Sequence, residues 1–417
     1  MKMARFSIPI PQEIIDSIIN ELSADFKTLR ACALVSHSLH TASRKHLFSS
    51  IDLRKFSPAR KLLELFKSQP DLALLVRELY IYRGRLRNGK AWFARDPSLP
   101  PLLTMLHRLK TFNLDSETDV PWTGLSTELR TALIERIRAP DLIELLIHGI
   151  SRLPVSLIQH FTHLRQLSIS FPDIDTQAHG QLMESSLPIV LHLDTLCIPY
   201  LGPALEPMSM TVFDFVAIAT LKHLVVDLTT SDTLLIAQKV IRSAATSIRS
   251  VQWQYLAYVQ DTNPEQAIRL DALRNLEYLN FTLQLDRAER KGVFNQELSS
   301  LFFLLNTHVA RKALHAKELS IAIDTSRYDS WNAAVTSLLA YPEWRELATV
   351  FSSPHLQKIH IFVGFDDGVL PLDASQQFKD EVRLRLPQPQ NGVLLETSVG
   401  PFGELWHDIC SRNSIRI

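Results

Sequence analysis

Leu276-Glu277-Tyr278-Leu279-Asn280-Phe281 sets out an apolar residue, two variable ones, a second apolar residue, one variable residue and a third apolar residue. Its last three positions alternate apolar, polar, apolar, the period of a strand with one buried face. Working outward, the same order recurs ahead of it at Leu221/Leu224/Val226 and Ile248/Val251/Trp253. It recurs behind it at Ala316/Leu319/Ile321 and Leu356/Ile359/Ile361. Farther upstream it is found at Phe48/Ile51/Leu53, Val76/Leu79/Ile81, Leu109/Phe112/Leu114, Leu142/Leu145/Ile147, Leu164/Leu167/Ile169 and Leu193/Leu196/Ile198. One such triplet occurs by chance in any chain. Eleven, spaced by about 31 residues on average, form a pattern. The intervals have room for helices: Ala59, Leu62, Leu63 and Phe66, like Leu298, Leu301, Phe302 and Leu305, fall at i, i+3, i+4, i+7.

Strand, crossover helix and strand at this length match a leucine-rich-repeat unit, although the asparagine that usually closes such repeats is missing. The expected fold is therefore α/β: a three-helix module over 8–50, then an irregular leucine-rich-repeat-like solenoid with a short parallel sheet over 51–365. A C-terminal cap or tail is expected over 366–417, where the triplets cease. An α/β domain of another topology is the alternative. The Pro-rich stretches 85–108 and 200–212 read as loop insertions between units.

Composition narrows the function. The chain has 417 residues, with Lys plus Arg and Asp plus Glu both at 44. A formal charge of zero argues against holding nucleic acid or an anionic membrane by bulk electrostatics. Cys32, Cys197 and Cys410 are far apart and form no Cys-x-x-Cys pair, so neither a zinc knuckle nor a disulfide framework is expected. No apolar run approaches bilayer length, and Pro9 and Pro11 interrupt the opening residues. A soluble cytoplasmic or nuclear protein is expected. No P-loop, Gly-x-Gly-x-x-Gly, Gly-x-Ser-x-Gly or His-Glu-x-x-His is present. The clusters His37/His40/His46 and His160/His163 have no carboxylate or cysteine at metal-ligand spacing, so no metal, no cofactor and no catalysis are expected.

The N-terminal residues carry a second signal. Pro11 suits a first helical position, and Ile14, Ile15, Ile18, Ile19 and Leu22 follow on one helix face. A second helix carries Leu29, Cys32 and Val35, and a third carries Leu39, Ala42 and Leu47. Three short helices cannot hide Pro11, Ile14, Ile15, Ile18, Leu29, Cys32 and Val35 together, so some of them should await a partner. The order Ile10-Pro11-x-Glu13-Ile14-Ile15-x-x-Ile18, then Thr28-Leu29-x-x-Cys32-x-x-Val35-Ser36, then Leu47-Phe48, resembles the F-box. The continuation Leu47-Phe48-Ser49-Ser50-Ile51-Asp52-Leu53 is similar to fungal F-box-like proteins with irregular leucine-rich repeats. The resemblance covers about 40 residues by motif. Ile10 stands where Leu is usual, and Leu39 where many F-boxes have Trp.

That resemblance implies the substrate receptor of a Skp–cullin–F-box ubiquitin ligase. Ile10, Pro11, Ile14, Ile15, Ile18, Leu29, Cys32, Val35 and Leu39 would hold a Skp-family adaptor and, through it, a cullin. A solenoid that merely scaffolds, with the helices as its end cap, is the alternative. The variable strand positions would face outward and bind an unidentified target protein: Tyr80, Tyr82, Asn113, Asp115, His148, Asp227, Gln252, Gln254 and Asn280, with His360 and Phe362 ending the row. An arginine-rich stretch, Arg77 to Arg95, reads as a solvated loop, with a clamp for a phosphorylated segment as the alternative.

Overall fold

The structure, a computed structural model, describes residues 10–23, 25–54, 56–82, 91–169, 174–175, 189–198, 216–218, 220–227, 231–254, 270–285, 291–310, 314–325, 331–365, 373–387, 389 and 392–401. It divides into two compact units, 1–153 and 154–417. The three-helix module lies inside the first and the C-terminal stretch inside the second, a division the sequence pattern did not mark.

The first unit opens with α1 (Gln12–Glu21), α2 (Phe26–Cys32) and α3 (His37–Leu47). Side chains cap two of these short helices. Asp25 accepts from the backbone N–H groups of Lys27 and Thr28, and Ser36 Oγ accepts from Leu39 N–H. Their shared core is small: Ile19, Leu29 and Ala42 are buried, with Ile15, Leu22, Cys32, Leu39 and Leu47 packed around them. Four strands follow: β1 (Ser50–Leu53), β2 (Glu78–Ile81), β3 (Thr111–Pro121) and β4 (Glu144–Ser151). They pair in parallel and in sequence order. Parallel neighbours need a crossover, supplied by α4 (Phe56–Ser68) and α5 (Pro70–Ala73), then α6 (Leu99–Met105), then α7 (Thr127–Arg138). A register shift in β3 between Asp115 and Val120 brings its backbone onto Gly149 of β4. Gly149 has φ +67°, and a Cβ there would run into the Ser116 carbonyl oxygen, so the position requires glycine.

The stretch 85–108 corrects the expectation of a loop insertion. Its described part, 91–108, is largely core: Trp92, Phe93, Leu99, Leu102 and Leu103 are buried, and α6 is the crossover into β3. Prolines were the misleading signal, because Pro100 and Pro101 occupy the first turn of α6, where a missing N–H costs nothing. The stretch 200–212 lies outside the described residues.

Among its described residues, the second unit repeats the arrangement with a run of eight parallel strands, again paired in sequence order, besides a separate short parallel pair, Ile189–Leu191 with Val216–Ile218. The eight are β5 (Gln166–Ile169), β6 (Thr195–Ile198), β7 (His223–Asp227), β8 (Ser250–Gln254), β9 (Tyr278–Gln284), β10 (Glu318–Asp324), β11 (Lys358–Phe365) and β12 (Leu394–Pro401). Helices α8 (Ser231–Ala244), α9 (Lys291–Ala310), α10 (Trp331–Leu339), α11 (Leu347–Val350) and α12 (Ala374–Arg385) lie between them. The second and third apolar positions of each triplet fall in register. Leu167, Leu196, Leu224, Val251, Leu279, Leu319 and Ile359 form one buried row, and Ile198, Val226, Trp253, Phe281, Ile321 and Ile361 the next. Trp253 and Phe281 meet edge to face, with centroids 5.3 Å apart. Burying an apolar side chain in full is worth about 1.5–3 kcal/mol, so the rows contribute substantially to the unit's core.

The C-terminal stretch, expected as a cap or tail, adds one more helix and parallel strand where it is described. Strand β12 pairs with β11 over eight residues, and Phe378 and Val382 of α12 are buried. The triplet pattern misses it because its register equivalents are Gly392, Leu395 and Thr397, of which one alone is apolar. Residues 366–372 and 402–417 lie outside the described residues.

Candidate functional site

The three N-terminal helices are stitched to one another by polar contacts. His46 Nε2 meets Asn20 Oδ1 at 2.9 Å, joining α3 to α1, and His40 Nδ1 meets the Ala33 carbonyl at 2.9 Å. This frame holds an apolar surface in solvent. Ile10, Ile14 and Ile18, four residues apart, lie on one face of α1 and its approach, and each is more than half exposed, Ile14 at 52%. Pro11 is exposed beside them. In the turn between α2 and α3, Leu34 is 88% and Val35 73% exposed.

Not every residue expected on this surface is there. Leu29 is fully buried in the small core, and Ile15, Cys32 and Leu39 are half-buried against it. Leu29 is therefore a core residue: with Cys32 it follows the inward face of a seven-residue helix that has little else to anchor it. Leu34 and Phe26 were missed and are exposed. Leu34 is legible in retrospect as an apolar residue that breaks the Leu29/Cys32 spacing.

The outward strand row divides between the units. In the first, Tyr80 and Tyr82 are half-exposed and stack at 5.8 Å with planes 8° apart. The Arg54 guanidinium lies 5.8 Å from the Tyr82 ring centroid and is held by Asp52 at 2.8 Å. Burial, then Glu78 and Glu144, hold the Tyr80 hydroxyl well above the ordinary phenol range, so it remains a donor, here to Glu78 at 3.3 Å. Asp115 and His148 are half-exposed. Stacked tyrosines beside a guanidinium form the kind of surface on which protein contacts concentrate.

Asn113 in the first unit and most of the row in the second depart from expectation. Asn113 and Asp227 are buried, Gln252 is 1% exposed and Asn280 4%, while Gln254 is half-buried. Ala322 and Phe362 form an apolar cluster of their own on this outward-facing row. Polar identity misled here, because strands about 4.8 Å apart in register flank each side chain with its equivalents on either side. Asn113, Asp227, Gln252 and Asn280 are thus corrected from exposed contact residues to buried ones. Cys197 is partly buried, and that burial pushes its thiol up to about 11, against a hydrogen bond from Ser168 and with Asp227.

Among the described residues, no group of three His, Cys, Asp or Glu side chains is placed to hold a metal ion. Among the same residues, no helix is long and apolar enough to cross a membrane. Of the arginine-rich stretch, Arg77 donates to the Arg108 carbonyl at 3.1 Å and Arg95 is exposed, while residues 83–90 lie outside the described set. No protein-family model and no curated protein matches the chain.

Proposed function

We propose that this chain is a non-catalytic substrate receptor of a Skp–cullin–F-box ubiquitin ligase, an F-box-like helical module followed by a leucine-rich-repeat-like solenoid. The observation that carries the reading is the apolar surface of Ile10, Pro11, Ile14, Ile18, Leu34 and Val35, left in solvent on helices with their own core. A face of this kind is costly to leave in water and is the expected mark of a binding surface. An end cap would use these side chains to seal the first strand, yet they remain exposed. A Skp-family adaptor is the proposed occupant, as the motif order implies. Target recognition is proposed at Tyr80, Tyr82, Asp115 and His148, with Arg54 supporting the aromatic pair. The parallel strands and crossover helices, in strict sequence order, support the repeat reading. Ubiquitin transfer would be promoted by proximity, the receptor raising the effective concentration of target lysines.

Co-purification of the full chain with a Skp-family adaptor tests the docking surface. Wild type is expected to retain the adaptor, and Pro11→Ala with Ile14→Asp to lose it while its circular dichroism and melting transition stay unchanged, since both side chains face solvent. Retention by the double variant would refute the docking surface.

A further inference from the structure

A groove of about 800 Å3 crosses the starts of five successive strands, β7 to β11, in the second unit. The backbone sets its direction. Arg249 N–H donates to the Lys222 carbonyl, Glu277 to Arg249, Lys317 to Glu277 and Gln357 to Lys317, at 2.7–2.9 Å. These four steps of about 4.8 Å make a trough about 19 Å long, the span of roughly six residues of extended chain. Its charge is lopsided. Lys222, Arg249, Arg274 and Lys317 line it against Glu277 alone, in a chain whose charges otherwise balance. Lys222 is tied to Asp194 at 2.7 Å and Lys317 to Glu277 at 3.4 Å. Among the described residues, Arg249 and Arg274 have no ion-pair partner, and both are exposed. His315 and His355 meet at 5.1 Å on the groove wall. Burial, then His355 and Arg274, hold His315 below the ordinary imidazole range, which agrees with a positive local field.

We propose that this groove binds an extended, anionic peptide segment, with Arg249 and Arg274 taking its phosphate or carboxylate oxygens. Planar guanidinium groups match such oxygens two at a time, and the trough's length suits several side chains of a peptide better than a single ion. The site is separate from the adaptor surface and does not rest on it. Asn275 Nδ2 donates to the Thr246 carbonyl at 2.7 Å, tying the residue beside Arg274 to the loop before β8.

Fluorescence anisotropy on the full chain, with no adaptor present, tests this. The probes are a labelled six-residue peptide with two phosphoserines, the same peptide with two glutamates, the same with two serines, and a six-nucleotide oligothymidylate. The phosphopeptide is expected to bind at least tenfold more tightly than the serine peptide, and Arg249→Gln with Arg274→Gln to remove that difference without altering the melting transition. Equal binding of the glutamate peptide would support the groove and show that carboxylate serves it as well as phosphate. The proposal is overturned if the double variant binds as wild type does, if no anionic peptide binds, or if the oligonucleotide binds more tightly than any peptide.

Discussion

Gln252 and Asn280 are register partners in β8 and β9, nearly fully buried, yet among the described residues Gln252 Oε1 and Asn280 Nδ2 each lack a hydrogen-bond partner. A buried polar atom left unpaired costs about 1–3 kcal/mol, and replacing it with an apolar group of similar shape recovers part of that. Gln252→Met keeps the unbranched stem and removes the unpaired oxygen. It is expected to stabilise the protein by about 1 kcal/mol, read as a higher urea midpoint at unchanged slope. A drop of that size would show that the amide has a partner in solution. The comparison also bears on target binding: a residue this buried contributes through the sheet, whereas Tyr80 and Tyr82 offer ring area to a partner directly.

Strand–helix pairs are the unit in which this chain is built, and the last pair shows what that requires. Trp331 of α10 packs on Phe365 of β11 at 4.9 Å and on Phe378 of α12 at 6.2 Å, and its indole N–H donates to Gln377 at 3.1 Å. Phe378→Ala should therefore cost about 3–5 kcal/mol in a denaturant melt, as for any buried aromatic, whereas a tail residue would cost nothing. Sequence revealed those elements in which burial dictates residue type: Leu279 and Phe281, like their equivalents, must be apolar because they face the helices. It concealed β12, where Gly392 and Thr397 break the triplet, and α6, where Pro100 and Pro101 imitate a loop. At the N-terminus the helical period located the apolar stripe. It could not say that Leu29 turns inward, since on a helix of seven residues either face can bury, nor that α2 ends at Cys32 and leaves Leu34 exposed in the turn beyond. Nor could it show the burial of Asn113, Asp227, Gln252 and Asn280, which follows from neighbouring strands rather than from the residues themselves.

At the scale of the whole molecule, equal numbers of acidic and basic residues give a formal charge of zero, and the response of stability to pH is set by groups whose surroundings differ between folded and unfolded chains. His223, at the start of β7, is one. Burial holds its pKa below the ordinary imidazole value, Lys222 and Arg249 push the same way, and Asp194 opposes them. Among the described residues its buried Nδ1 atom has no hydrogen-bond partner. His315, lowered by burial, His355 and Arg274, is another. The sign follows. Between the ordinary value near 6.5 and the lower folded one, the unfolded chain binds more protons than the folded one. Stability is therefore fully present above about pH 6.5 and declines as pH falls through that window. Urea midpoints at pH 7.5 and 5.5 should show a fall for wild type and a smaller fall for His223→Gln, which cannot take up the proton. Equal falls in the two proteins would assign the acid sensitivity elsewhere. The glutamate peptide bound at Arg249 and Arg274, whose carboxylates stay ionised across this window, should raise the folded-state pKa of His315 by offsetting the positive charge beside it, so its presence should flatten the same decline further.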